Sequence, residues 1–246
     1  MIDLLLSISL ELKNPPMRGP LLLIDAAREF KTIRPDPCIH SMRPISMTPK
    51  FVMLHCVLLL TPVADPAYAA VNDPAASQVQ ILTASLLQSM QAGPAEPMTE
   101  RYRKLEPVIK QVFGLPLMTR LSVGPVWSTF SPEQQNALIA AFARFTIANY
   151  AHNFRDFSGQ KFEIDDVVSR GEDKIVRTRL IPAHDTPVQL LYRMREVDGV
   201  WRVIDVYSDG VSELALRRDD FGAAIAAGGP PVLIAHLNKV SDDLMK

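Results

Sequence analysis

The sequence predicts an α+β fold in which helices precede and follow one antiparallel sheet. Apolar residues recur every three or four positions over residues 73–154, alternate every second position over residues 161–207, and return to helical spacing after residue 213. The 246 residues include 26 Lys and Arg, 27 Asp and Glu and 48% hydrophobic residues, a balance that excludes collagen-like, disordered and polytopic membrane chains. The net charge of −1 gives no electrostatic reason to expect a nucleic-acid partner.

The first 69 residues predict export. Residues 51–60 form an apolar run interrupted only by His55, and this run is too short for a membrane-spanning helix, which needs about 20 residues. Lys50 precedes the run and Ala-Tyr-Ala follows it at residues 67–69, an order typical of a secretory signal. A buried helix of an N-terminal domain is the alternative. We expect a doubtful, disordered upstream extension over 1–46, a signal peptide over 47–69, and one mature domain over 70–246.

Four helices are predicted before the sheet. The first begins at Asp73-Pro74, an N-cap followed by a proline at the first helical position. Thr99 is the expected cap of the second, a short third covers residues 115–121, and the fourth begins at the Ser-Pro-Glu-Gln capping box of residues 131–134. The expected apolar faces of the first two are Val79, Leu82, Leu86 and Met90, and Tyr102, Leu105, Ile109 and Val112.

Four strands joined by short turns then predict an antiparallel meander. They are expected over residues 161–168, 174–181, 188–197 and 200–207. Asp198-Gly199 is typical of a two-residue hairpin turn of the primed type. After the sheet, helical spacing predicts one helix that ends at Gly228-Gly229-Pro230-Pro231 and a terminal helix beyond it.

Motifs for catalysis are absent from the sequence, which has no GxGxxG, Walker A, HExxH or GxSxG pattern. His152, His184 and His236 lack the spacing of metal ligands, so no metal site is predicted. Asp205 and Tyr207 share one face of the last strand and could carry an isomerase-type proton transfer if that face lined an apolar pocket. For Asp205 a capping or pairing role is the alternative.

The two faces of the predicted sheet differ in character. One carries arginines, and the other carries an apolar row that must meet the fourth helix. The arginine face has two interpretations: a solvent-facing surface paired with Glu163 and Glu196, or a docking surface for an acidic partner or membrane phosphates. The arginines are Arg177, Arg179, Arg193, Arg195 and Arg202, the apolar row is Val188, Leu190, Tyr192 and Met194, and the facing helix presents Leu138, Ile139, Phe142 and Phe145.

Several loose motifs, in this order and spacing, resemble the MlaC family of periplasmic lipid-binding components of toluene-tolerance type ABC transport systems. They are Phe-Gly-Leu-Pro-Leu-Met at 113–118, Gly-Pro-Val-Trp at 124–127, Ser-Pro-Glu-Gln at 131–134, Gly-Val-Trp-Arg-Val-Ile-Asp-Val at 199–206 and Asp-Gly-Val-Ser at 209–212. The resemblance covers residues 72–245. The stretches 150–159 and 208–218 look closer to HpnM, the branch associated with hopanoid biosynthesis.

The resemblance implies a nuclear-transport-factor-like, curved four-stranded sheet that holds lipid tails against the helices. It implies a periplasmic carrier of phospholipid or hopanoid, without enzymatic activity and without a cofactor other than the lipid cargo. The implied partners are an inner-membrane MCE/ABC complex and an outer-membrane acceptor, reached through transient membrane contact. A structural partner of a membrane complex is a further alternative. The expected lipid contacts are Val112, Phe113, Leu117, Met118, Leu121, Phe142, Phe145, Tyr150, Leu190, Tyr192 and Met194.

Overall fold

Helices flank a sheet in chain order, as the sequence predicts. The computed structural model describes residues 72–246, and the predicted extension and signal peptide lie outside these described residues. The described helices are α1 (Pro74–Gln91), α2 (Met98–Val112), α3 (Leu115–Val123), α4 (Pro132–Asn153) and α5 (Glu213–Leu244), with a 3₁₀ helix over Gly124–Thr129 between α3 and α4.

The helix ends follow local chemistry. The Asp73 carboxylate accepts a hydrogen bond from the Ala75 amide, and Ser131 and Gln134 form both halves of the predicted capping box. The expected cap at Thr99 is wrong, because Pro97 occupies the N-cap position and α2 begins at Met98, two residues earlier than predicted. Within α5 the backbone leaves helical geometry at the two glycines before Pro230 and Pro231, where Gly229 has φ of 74°. This interruption is the predicted break before the terminal helix.

The sheet is an antiparallel meander in the order β1–β2–β3–β4–β5. Its strands are β1 (Lys161–Arg170), β2 (Asp173–Ile181), β3 (Val188–Val197), β4 (Val200–Ser208) and β5 (Val211–Ser212). The predicted turn between β3 and β4 has positive φ at both Asp198 (52°) and Gly199 (75°), as a type I′ turn requires. The α+β class is therefore confirmed, with a two-residue fifth strand added to the predicted four.

A β-bulge alters which side of β1 faces the core. The pairing of β1 with β2 shifts between Ile164 and Asp166, so that Asp165 is an extra residue. Beyond the bulge Val167 packs on the hydrophobic core. Unbroken alternation predicts Asp166 and Val168 on the face of Ile164, and this prediction is wrong because one inserted residue reverses the side-chain alternation.

The helical layer covers one face of the sheet. Helix α1 packs on β1, β2 and β4, while α4 packs mainly on α5, α2 and α3. The main chain of Gly114, between α2 and α3, donates to the Val203 carbonyl at 2.9 Å and so ties this turn to β4. No helix within residues 72–246 combines the length and apolar character needed to cross a bilayer.

Candidate functional site

A cavity of about 270 Å³ lies between the sheet and the helices. Its walls come from α3, α4, the first turns of α5 and the inner faces of β2, β3 and β4. Ser158, after α4, and residues 182–185, between β2 and β3, complete the lining. Because Ser158 and residues 183–185 are also exposed to solvent, these two loops form the mouth of the cavity.

Most of the residues predicted to contact lipid line this cavity. They are Phe113, Met118, Phe142, Phe145, Tyr150, Leu190 and Tyr192. Aromatic contacts hold several of them in place, since the Phe113 and Tyr150 rings meet edge to face at 5.3 Å. The cavity is therefore apolar over much of its wall, and lipid contact by these residues stays a prediction.

The other four predicted residues lie elsewhere. Val112 and Met194 are completely buried in the core, and neither lines the cavity. Leu117 lies in a separate open groove on the outer side of α3, and Leu121 packs on the core from a half-buried position. Periodicity identifies the correct faces of these elements, but it does not separate residues that fill a core from residues that border a space.

An ion pair in the cavity wall was not among the predicted site residues. Glu213 and Arg217 lie one turn apart in α5 and both line the cavity, with 3.5 Å between Glu213 Oε2 and Arg217 Nη2. The Arg217 side chain is only 16% exposed, and its guanidinium lies 4.5 Å from the centre of the Phe145 ring. The sequence gives no signal of this burial, because Arg217 is followed by Arg218, Asp219 and Asp220, a charged run typical of a solvated helix face.

Burial controls the ionisation of this wall. It raises the pKa of the Glu213 carboxyl, an effect that Arg217 opposes and Asp205 reinforces. It also lowers the pKa of the Arg217 guanidinium and raises those of the Tyr150 and Tyr192 hydroxyls. Each shift disfavours the charged form, as expected where water has been replaced by apolar side chains.

Two asparagines of α4 add neutral polar groups to the wall. Asn149 and Asn153 follow Phe145 at intervals of four residues, so the three share one helix face. The Asn153 amide donates from Nδ2 to Asn149 Oδ1 at 3.1 Å. Its own Oδ1 is buried and has no hydrogen-bond partner in residues 72–246. Asparagine between apolar residues of a helix is a weak sequence signal, so these positions were missed.

The candidate acid–base pair lies outside the cavity. Asp205 and Tyr207 share the outer face of β4, as the sequence suggests, but neither lines the cavity. The Asp205 carboxylate accepts hydrogen bonds from the Ser212 hydroxyl at 2.8 Å and the Leu214 amide at 3.2 Å. Asp205 therefore has the capping role, which fixes the start of α5 against β4.

The arginine face of the sheet is largely neutralised by acidic neighbours. Asp173 receives hydrogen bonds of 2.6 Å from both Arg193 and Arg195. Arg177 pairs with Asp166, while Arg179 pairs with Asp165 and with Glu163. The predicted pairing is present for Glu163, whereas Glu196 forms no ion pair within residues 72–246. The β-bulge brings Asp166 to the surface that already carries Glu163 and Asp165. These contacts favour the solvent-facing interpretation over a docking surface for anions.

No candidate metal site is present in the described part of the chain. Residues 72–246 contain no group of three or more His, Cys, Asp or Glu side chains arranged to hold a metal ion.

Two comparisons with known proteins agree with this geometry. The profile of the family described as MlaC protein matches residues 80–239, well over half of the chain. A solved structure, described as the phospholipid-binding protein from Ralstonia solanacearum in complex with a phospholipid, is similar in fold. The two align with a TM-score of 0.61 and 21% sequence identity over 69% of this chain and 98% of that chain.

Proposed function

Because the chain belongs to the MlaC family, we propose that it is a lipid-binding carrier of the periplasm. The observation that carries the proposal is the cavity between the sheet and α4, walled by Phe142, Phe145, Leu190 and Tyr192. The solved structure with a similar fold is described as holding a phospholipid. In this proposal the hydrocarbon of the cargo occupies the cavity and enters through the mouth at residues 182–185.

The energy of hydration explains why such a carrier is needed. Exposing a 16-carbon chain to water costs on the order of 13 kcal/mol, at roughly 0.8 kcal/mol for each methylene. A lipid therefore does not cross an aqueous compartment at a useful rate without an apolar container. A cavity enclosed by aromatic and aliphatic side chains removes most of this cost while the cargo is between membranes.

The proposed cargo is a phospholipid, and a hopanoid is the alternative that the HpnM-like stretches suggest. The volume of about 270 Å³ lies just under the roughly 300 Å³ at which small-molecule pockets usually begin. One chain or one rigid polycyclic skeleton suits this space better than two acyl chains. Two chains would require α4 and α5 to move away from the sheet.

The proposed partners are an inner-membrane ABC complex that contains an MCE protein and an outer-membrane acceptor, as in toluene-tolerance type transport. The carrier passes its cargo between them through transient contacts. The proposal assigns no enzymatic activity, and the isomerase alternative lacks its active-site geometry because Asp205 caps α5 and does not face the cavity.

Lipid analysis of the exported protein tests the proposal. We expect organic extraction of the purified protein to release lipid, and the delipidated protein to take up phospholipid from vesicles. Phe142→Asp should abolish uptake, because Phe142 is 3% exposed between Phe145 and Phe221 and a carboxylate there would be buried without a cation. Ala137→Asp, at an exposed position of the same helix, is the matched control and should behave as wild type.

Circular dichroism must accompany the variants, since Phe142→Asp can also unfold the domain. Wild-type protein that carries no lipid and takes none from vesicles would contradict the carrier proposal. A stable complex with membrane proteins in the absence of any bound lipid would favour the structural-partner alternative instead.

A further inference from the structure

The polar wall of the cavity is the feature that an apolar container does not explain. Arg217 makes no hydrogen bond to any residue of the described part of the chain, and its ionic partner Glu213 is 3.5 Å away. Both side chains border the cavity. A cargo made only of hydrocarbon would cover these groups, exclude water from them and leave their donors and acceptors unpaired, which is unfavourable.

Neighbouring groups extend this wall along α4. Phe145 lies beneath the Arg217 guanidinium at 4.5 Å, and Asn149 and Asn153 continue the same helix face from Phe145. The unpartnered Asn153 Oδ1 is buried beside the cavity. The wall therefore offers hydrogen-bond donors from Arg217 together with acceptors from Glu213 and Asn153.

We propose that Glu213, Arg217, Asn149 and Asn153 form a polar subsite that binds a neutral hydroxyl group of the cargo, an inference that rests on the proposed carrier function. A hydroxyl donates one hydrogen bond and accepts others, so it can pair with the guanidinium and with the carboxylate or amide oxygens at once. An anionic group is a poorer fit because the Glu213 carboxylate already faces Arg217, and two like charges repel strongly where water is excluded.

The subsite selects among lipids by the part of the lipid that lies inside the cavity, and not by the head group at the cavity mouth. A hydroxylated chain or polycyclic skeleton satisfies the wall, whereas an unsubstituted acyl chain does not. The chemical class assigned to this subsite is therefore an amphiphile with a hydroxyl group on its hydrophobic part or at the end that enters first.

Three probes with alkyl chains of eleven or twelve carbons test the subsite: dodecan-1-ol, dodecanoate and 1-methoxydodecane. Their affinities for the delipidated protein are measured by displacement of a fluorescent alkyl probe. We expect dodecan-1-ol to bind about tenfold more tightly than the ether, because only the alcohol has an O–H that donates a hydrogen bond. One such bond provides about this factor where water is excluded. Asn153→Leu removes an acceptor for the alcohol O–H, so it should reduce this preference to near unity and leave the affinity of the ether unchanged. Arg217→Met removes a donor that the alcohol and the ether oxygens share, so it should weaken the binding of both.

Arg218→Met is the matched control, because Arg218 is exposed and its guanidinium donates to the Leu121 carbonyl. Arg217→Met provides a second test should Asn153→Leu fail to fold, because it should weaken the alcohol and the ether by similar factors while Arg218→Met weakens neither. Equal binding of all three probes overturns the subsite while leaving the carrier function intact. Tighter binding of dodecanoate than of dodecan-1-ol, lost in Arg217→Met, shows an anion site and also overturns the proposal. Binding of no probe, with no uptake of phospholipid from vesicles, overturns the carrier function as well.

Discussion

The helical layer meets the sheet in two different ways. On one side, α1 lies directly on the sheet, and Val79, Leu82 and Leu86 have no exposed surface. On the other side, α4 and the start of α5 stand away from the sheet, and Phe142 and Phe145 border a cavity of about 270 Å³. We call these the closed side and the open side.

Each side has an arginine with little exposed surface, and the two arginines have different partners. On the closed side Arg101 is 1% exposed, donates from Nη2 to the Gly93 carbonyl at 2.6 Å, and donates from Nη1 to the carbonyls of Ser89 and Phe154. On the open side Arg217 has Glu213 at 3.5 Å and the face of Phe145.

The difference separates a structural role from a binding role. A buried cation whose hydrogen bonds end on main-chain carbonyls fixes the segments that carry those carbonyls, here the end of α1 and the residue after α4. A largely buried cation whose donors border a cavity can donate hydrogen bonds to a ligand that enters it. Burial alone does not distinguish these roles, whereas the groups that the guanidinium faces do.

The largest expected effect is on the closed side. Arg101→Met would remove the guanidinium hydrogen bonds to the carbonyls of Ser89, Gly93 and Phe154, of which Gly93 keeps the Glu96 amide and Phe154 keeps the Ser89 hydroxyl as donors. Because several charge-assisted hydrogen bonds are lost at once, we expect the free energy of unfolding to fall by about 3–5 kcal/mol. Urea denaturation followed by circular dichroism measures this. Arg103→Met, at an exposed position of the same helix, should change stability by less than about 0.5 kcal/mol. An Arg101→Met protein as stable as wild type would show that Arg101 has no structural role, and that the arginines of the two sides do not differ in role.

Enlarging a valine should have opposite effects on the two sides. Val79 is completely buried in the closed side, so Val79→Phe overfills a packed core and should destabilise the lipid-free protein by about 1–3 kcal/mol. Val188 lines the cavity, so Val188→Phe fills space there and should stabilise the protein by about 0.5–2 kcal/mol. Thermal unfolding compares the two variants.

Lipid uptake completes this comparison. Val188→Phe should reduce uptake from vesicles because the new ring occupies cargo space, while any folded Val79→Phe protein should load normally. Equal destabilisation by the two substitutions would mean that the open side is as densely packed as the closed side.

The sequence predicts the fold well because the relevant signals are local. The capping box at Ser131 and the primed turn at Asp198-Gly199 depend only on residues a few positions apart, and both are confirmed. The β-bulge at Asp165 depends on pairing with β2. A single inserted residue has no signature in an alternating pattern, so the pattern predicts the wrong faces for Asp166 and Val168.

The site is predicted less completely because a cavity is a property of packing between elements. Met194 and Tyr192 lie on the same apolar face of β3, yet only Tyr192 borders the cavity. Arg217 follows an ordinary surface pattern in the sequence, with Arg218 and two aspartates beside it. Its burial results from the approach of Phe145 on α4, more than seventy residues earlier in the chain.

The smallest expected effect concerns the ionisation of the two sides. Burial raises the pKa of Glu213 on the open side, so the folded protein binds the proton more tightly than the unfolded chain. Glu213 therefore contributes stability at low pH. This contribution is lost as the pH rises from about 4.3, the pKa of Glu in the unfolded chain, through the raised pKa in the folded protein. We expect lipid-free Glu213→Gln to gain stability relative to wild type over this rise, by at most about 1.4 kcal/mol for each unit of the shift.

Glu100 on the closed side provides a control of opposite sign. The hydrogen bond from Arg103 lowers the pKa of Glu100, so this carboxylate contributes stability above the unfolded pKa and loses it as the pH falls through the folded pKa. Glu100→Gln should therefore be less stable than wild type at pH 7, with the gap closing in acid. Urea denaturation of both variants from pH 3 to pH 8 measures the two trends. A Glu213→Gln protein that loses stability relative to wild type as the pH rises, as Glu100→Gln should, would show that the open side does not disfavour charge. That result would also remove the basis for a neutral ligand group beside Arg217.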